Sequence, residues 1–300
     1  MQSRVVGSVA LGALLLVVQT AHAQTPNHIT VPFSDSARPG TVRVNVLNGS
    51  INVTVGTGRD VVIDSKDDRD DRDRPRRSDR SRDSGDSGAD GLRRLSQPAG
   101  LTVEERANVI SVSAPVMTGH VKLDIQVPAA TSLVIRAVNG GDVSVDGVSG
   151  STEVNSVNGS IRLTNLGGAV IAHATNGTVT ATLRQVVGGA PMAFTSFNGD
   201  VDVTLPSNAK ANLKMRSDRG DVYTDFDVQI TTPPAGSTQS DRRAPDRNRD
   251  RTDRADRDDA KDKAKYRLDI DRSVYGAING GGPDFELRTF NGDVRLRKAK

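Results

Sequence analysis

The chain has no cysteine and no tryptophan among its 300 residues, and only three tyrosines and six phenylalanines. Without cysteine, disulfides, thiolate metal sites and thiol nucleophiles are excluded, and stability must come from packing and backbone pairing. Histidine is nearly as scarce. Beyond residue 23 there are only His28, His120 and His173, none at i, i+2 or i+4 from another, so no metal site and no metal cofactor is expected. Charge of one sign is lacking too: 40 Lys and Arg face 37 Asp and Glu, a formal net charge of +3. The pI near 9.3 therefore reflects a small basic excess rather than the basic stripe that phosphate neutralisation needs, and nucleic acid is excluded as a partner. No phosphate loop or dinucleotide fingerprint is present. Gly147-Val148-Ser149-Gly150 fails as a nucleophile elbow because Ser151 stands where the closing glycine should be. No catalytic, cofactor-binding or metal-binding residue is assigned, and the chain reads as a non-enzyme.

One apolar run does exist, at the start. Arg4 precedes the apolar stretch Val5 to Val18, and Ala21-His22-Ala23 forms a small-x-small cleavage site before Gln24. This is the pattern of a secretory signal peptide over residues 1–23, too short in its apolar core to span a bilayer comfortably. The mature chain, with no second apolar run, carries no membrane span. It is expected in the periplasm, in the cell envelope or outside the cell.

What the sequence has in abundance is glycine at a fixed interval. Between Ala137 and Thr182, glycines fall at 141, 150, 159, 168 and 177. Two residues after each comes Val143, Thr152, Ile161, Val170 or Val179, and two further on Val145, Val154, Leu163, Ala172 or Ala181. Each unit is a glycine turn followed by a strand of period two. A third inward position, seven after the glycine, is expected at Val148, Val157 and Leu166. Asn139, Asn158 and Asn176 mark alternate units, so a full repeat spans about eighteen residues and holds two short strands. No such unit can bury an apolar face alone, and stacking has to make the core. The same idiom opens the mature chain at Asn48-Gly49-Ser50-Ile51 and returns at Asn198-Gly199-Asp200-Val201 and Asn291-Gly292-Asp293-Val294. The apparent glycosylation sequons at Asn48, Asn52, Asn158 and Asn176 largely coincide with these turns and read as turn chemistry.

Two stretches break the pattern. Residues 65–98 and 233–265 interleave Asp with Arg at nearly every position, almost in balance, with little to bury. Both are expected to be disordered insertions. Strand vocabulary before, between and after them argues for one domain over residues 24–300, because long loops cost little extra closure entropy. The nine-residue rhythm and the matched inward residues favour a stack over a sandwich. The expected fold is all-β: a single-domain β-solenoid, a parallel β-helix-like stack of about seven coils at a strand spacing of about 4.8 Å.

Leu123-Asp124-Ile125-Gln126-Val127-Pro128 entering the ladder, the repeated Asn-Gly-x-Val/Ile turns, and the ending Gly282-Pro283-Asp284-Phe285 through Asn291-Gly292-Asp293-Val294-Arg295-Leu296 together resemble the putative-adhesin domain family of bacterial exported and envelope proteins. That resemblance covers most of residues 41–298, apart from the Asp/Arg insertions. It implies a β-solenoid, an exported location and an adhesive role, and it brings no catalytic residues.

Two groups of residues could carry chemistry. Asp142, Asp200, Asp221 and Asp293 each follow a turn glycine, and aligned coils would stack them into a column able to hold Ca²⁺ or to act as paired carboxylates. Ser50, Ser160 and Thr178 fill equivalent places, which favours hydrogen bonding to turn amides instead. Eight of the nine aromatics lie after residue 190, and are expected to fill wider terminal coils and cap the open end rather than form a sugar platform. The function these readings converge on is adhesion or envelope-associated binding through a repetitive polar surface, to an envelope or surface polymer or protein. The alternative is a carbohydrate-active β-helix enzyme, which would need two carboxylates about 5–10 Å apart in a cleft.

Overall fold

The structure is a computed structural model and describes residues 28–67, 100–114, 120–186, 189–231 and 273–299. The signal-peptide segment and nearly all of both Asp/Arg stretches lie outside the described residues. Within those described there are twenty strands and no helix.

The coil is built as the glycine period requires. A strand on one face ends at an Asn-Gly corner, the chain turns, and a strand on the second face follows. In β2 (Thr41–Val55) the corner at Asn48-Gly49 is passed without a break, so one strand serves both faces. The following coils are β7 (Ser132–Asn139) with β8 (Val143–Asp146), β9 (Thr152–Asn158) with β10 (Ile161–Leu166), β11 (Val170–Asn176) with β12 (Val179–Leu183), and β13 (Met192–Asn198) with β14 (Val201–Leu205). Each strand pairs in parallel with its counterpart in the next coil. The register runs Val143 to Ile161 to Val179 to Val201, so like residues fall above one another. Parallel in-register stacking converts the sequence period into continuous columns.

All ten expected inward residues from Val143 to Ala181 are buried. The apolar ones join a core of Val, Ile, Leu and Ala that runs the length of the stack. Full burial of each larger aliphatic side chain contributes about 1.5–3 kcal/mol. The third inward position holds at Val148 and Leu166 but not at Val157, which is 40% exposed. There the corner begins one residue early. Ser156 takes the inward place at 2% exposure and donates its hydroxyl to Gly159 O at 3.0 Å.

Order in space departs from order in sequence at both ends. β5 (Val109–Ala114) and β6 (Val121–Val127) stack outside β2, although they follow it in the chain. At the other end, β19 (Asp284–Asn291) and β20 (Val294–Lys298) are inserted between the β13–β14 coil and the coil formed by β15 (Ala211–Ser217) and β16 (Val222–Thr224). The stack therefore has eight coils rather than about seven, and the first and last coils of the sequence are each second from an end.

Antiparallel strands finish the stack. β3 (Val61–Asp67) lies on β6, β1 (His28–Val31) lies on β3, and β4 (Thr102–Arg106) covers β5. At the far end β18 (Val274–Ile278) covers β15, and β17 (Gln229–Ile230) covers β18. Reversing strand direction stops the parallel ladder from templating another coil, which protects the edges. One expected boundary shifts as a result. Ser65, Lys66 and Asp67 belong to β3 rather than to the first insertion, because antiparallel pairing with β6 uses their backbone whatever their side chains are.

Candidate functional site

The Asn-Gly corner is where polar side chains recur, and it is built from three parallel columns. The first is glycine. At Gly159 and Gly177 the backbone takes φ of +158° and +155°, and an added Cβ would collide with the carbonyl oxygens of Gly141 and Gly159 in the preceding coil. Only glycine lets successive corners nest.

The second column is asparagine. Asn158 Nδ2 donates to Asn139 Oδ1 at 3.1 Å, Asn176 to Asn158 at 2.9 Å, Asn198 to Asn176 at 2.7 Å and Asn291 to Asn198 at 2.7 Å. Asn158, Asn176 and Asn198 each donate to one neighbour and accept from the other, so this ladder consumes polar groups that sequence alone leaves free. The two sequon positions Asn158 and Asn176 lie in it.

The third column contains the expected carboxylates, and only some of them meet. Asp200, Asp293 and Asp221 are consecutive, whereas Asp142 is separated from Asp200 by Ser160 and Thr178. Three of the four carboxylates reach a backbone amide in an adjacent coil. Asp142 accepts from Ser160 N at 2.9 Å, Asp200 from Asp293 N at 2.9 Å, and Asp293 from Asp221 N at 3.1 Å. Arg295 then bridges the remaining oxygens, with Nη1 at 2.7 Å from Asp200 and Nη2 at 2.6 Å from Asp293. The Asp293 amide, and then Arg295, hold the Asp200 carboxyl below the usual carboxylate range. Asp221 raises the Tyr223 phenol, which donates to it at 3.3 Å. Turn chemistry, extended across coils, accounts for the column. Among the described residues no three His, Asp or Glu side chains are grouped so as to hold a metal.

The histidines stand apart: His28 contacts Asp64 at 2.6 Å, His173 contacts Thr195 at 2.6 Å, and His120 packs over Gly140. The aromatics divide. Phe194 and Phe285 are buried and stacked at 6.4 Å, and Phe226 is buried, as expected of wider coils. Phe197 and Phe290, by contrast, stack outside the core, centroids 4.8 Å apart and planes 3° from parallel, and the Arg219 guanidinium sits 5.1 Å from the Phe290 centroid. With one ring per coil, the faces point along the stack axis and cover each other, so they offer no flat platform to a sugar.

Two kinds of partner at this corner were not legible in the sequence. Arg295 lies two residues beyond Asp293, a spacing that period-two alternation could have flagged. The buried hydroxyls of Ser196, Ser217 and Thr289 donate to the corner carbonyls of Gly177, Gly292 and Gly199 at 2.7–2.8 Å, and Ser and Thr at inward positions read simply as weak core.

Fold and corner together define a β-solenoid whose repeated polar side chains tie coil to coil. Within that class the chain belongs to the Toastrack family, described as Toastrack DUF4097, whose sequence model matches residues 28–248. Among solved structures it is similar to a "putative cell adhesion protein" from Clostridium sporogenes, at 9% identity over 91% of this chain and 99% of that one, with a TM-score of 0.42. It is also similar to a "putative adhesin" from Bacteroides fragilis, at 12% identity over 92% and 98%, with a TM-score of 0.26. No curated protein matches the chain. Among the described residues no helix is long and apolar enough to cross a membrane.

Proposed function

We propose that this protein is exported, loses residues 1–23, and acts without catalysis as a single β-solenoid domain that binds an envelope or surface polymer or protein. The observation that carries this reading is the register of the outward side chains. One face aligns Arg136, Asn155, His173, Thr195 and Arg288, and the other aligns Ser144, Arg162, Thr180, Asp202 and Arg295. Such columns repeat a polar group at strand spacing along both faces, the geometry suited to a partner that is itself extended and repetitive. The two Asp/Arg stretches add hydrated, charge-balanced chain to this body and make weak, salt-sensitive contacts with charged envelope polymers.

The carboxylates tell against glycoside hydrolysis. A general acid needs a raised pKa, whereas Asp200 is shifted the other way and shares Arg295 with Asp293. The test is incubation of the mature protein with purified envelope polysaccharide and peptidoglycan. Retention on the polymer with no new reducing ends is expected. Release of reducing ends that is abolished in Asp200→Asn or Asp293→Asn would overturn the reading.

A further inference from the structure

Asparagine followed by glycine is the step at which a chain most readily modifies itself, because glycine has no side chain to keep its nitrogen from the asparagine carboxamide. The chain has seven such steps, and the corners of the stack hold six of them. Ring closure needs a glycine N–H free to lose its proton and a carboxamide free to swing onto that nitrogen. Most corners deny both. Gly140, Gly159, Gly177 and Gly199 each donate their N–H to the asparagine carbonyl of the next coil, at 2.8–3.2 Å. Asn158, Asn176 and Asn198 spend their carboxamides as donor and acceptor in the ladder. Asn48-Gly49 lies inside β2, paired with β6 and β7.

The ladder ends at Asn291. The coil beyond it carries Arg219-Gly220 at its corner, and Gly220 N turns back to Ser217 Oγ at 2.7 Å. Gly292 N makes no hydrogen bond among the described residues. The Asn291 carboxamide keeps one ladder bond, to Asn198 at 2.7 Å, and accepts from Arg219 Nη1 at 3.5 Å, the long limit of a hydrogen bond. Gly280 N is unpaired as well, but Asn279 Nδ2 donates to Ser207 O at 3.2 Å and Ala209 O at 2.7 Å, which fixes that carboxamide on the β14–β15 connection. Exposure ranks the corners the other way, since Asn158, Asn176 and Asn198 are exposed and Asn291 is half-buried.

We propose that Asn291 is a modification site, the position at which this protein deamidates spontaneously ahead of the other ladder asparagines. Hydroxide takes the Gly292 proton, and the nitrogen attacks Asn291 Cγ. A bond forms between Gly292 N and Cγ, the Cγ–Nδ2 bond breaks, and Nδ2 takes a proton from water and leaves as ammonia. Water then opens the resulting succinimide at one of its carbonyls, giving aspartate or β-linked isoaspartate. Isoaspartate lengthens the main chain by a methylene between β19 and β20 and displaces Asn291 O, the acceptor of Gly199 N. Asn198-Gly199 is then the next step to be freed, so modification passes along the ladder from its Asn291 end.

The test holds the full mature protein folded in mildly alkaline buffer, digests samples at mild acidity over time, and reads each Asn-Gly step by peptide mass spectrometry. A parallel incubation in concentrated urea removes the fold. In the folded protein Asn291 is expected to convert about ten-fold faster than Asn158 or Asn176, where two further well-formed hydrogen bonds must break. Asn198 should follow next. In urea the rates should converge to within a few-fold. Folded-state conversion of Asn158, Asn176 or Asn279 as fast as that of Asn291, conversion of Asn176 ahead of Asn198, or an Asn291 lead that persists unchanged in urea would each overturn the proposal.

Discussion

At the scale of single residues, the corner does three jobs with three side chains, and each predicts a different failure. Asn176 donates to Asn158 and accepts from Asn198, so Asn176→Ala removes two ladder bonds at an exposed site. A loss of about 1–2 kcal/mol is expected by urea unfolding. Gly177 combines positive φ with a carbonyl in the way of any Cβ. Gly177→Ala should therefore cost more than the cap-like asparagine, on the order of 1–3 kcal/mol or above, with a corresponding fall in melting temperature. Asp200 acts through charge. Its folded-state pKa lies below the unfolded value, chiefly because of the Asp293 amide. The stability it contributes is therefore present above the unfolded pKa of about 4 and is lost as pH falls through the lower folded value. The gap in urea midpoint between wild type and Asp200→Ala should be largest near neutral pH and should close in strong acid. A gap that stays constant with pH would mean that the carboxylate charge contributes nothing.

At the scale of elements, the strands from β8 to β12 were readable because their inward residues repeat at a fixed distance from glycine, and every one of those ten positions is buried. Val157 escaped the pattern because the alternation of β9 runs on through Thr152, Val154 and Ser156 before the corner, which leaves Val157 on the outward side. Ser156, inward by strict alternation but polar, donates to Gly159 O, and a search for apolar residues passes over it. The aromatic split has the same origin. Phe194 occupies an inward position beside Ala172 in the preceding coil, while Phe197 falls one residue before the Asn-Gly corner and so lands outside. Phe194→Ala should cost about 3–5 kcal/mol by opening a cavity. Phe197→Ala, which removes only an exposed stack on Phe290, should cost about 0.5–1.5 kcal/mol. Chemical denaturation of the two variants side by side separates the roles.

At the scale of the whole molecule, the ends of the chain are not the ends of the stack. β19 and β20 lie between two other coils, so removing residues 273–300 does not trim a terminal repeat. It strips partners from β13 and β14 on one side and from β15 and β16 on the other, and it also removes β18, which covers β15 and pairs with β17. Truncation there should abolish cooperative unfolding by circular dichroism and promote self-association by size-exclusion chromatography. A truncated chain that stays monomeric and unfolds cooperatively would contradict the inserted position of this coil. Of the four breaks in the described chain, the two longest, after Asp67 and after residue 231, fall at opposite ends of the stack, among the antiparallel strands that close it.

Sequence by itself determined the strand alternation, the glycine corners, the eighteen-residue coil and the resemblance that led to the family, because all of these are set by neighbours within a few residues. It also held the Asp column as a possibility and favoured turn chemistry for it. Only the tertiary structure decided that Asp200, Asp293 and Asp221 are consecutive while Asp142 is apart, since Asp293 comes from a coil ninety-three residues further along the chain than Asp200. Periodicity fixes what each coil looks like. Which coil lies on which is a competition among edges of nearly identical pattern, and that competition is settled only when the whole stack is closed at both ends.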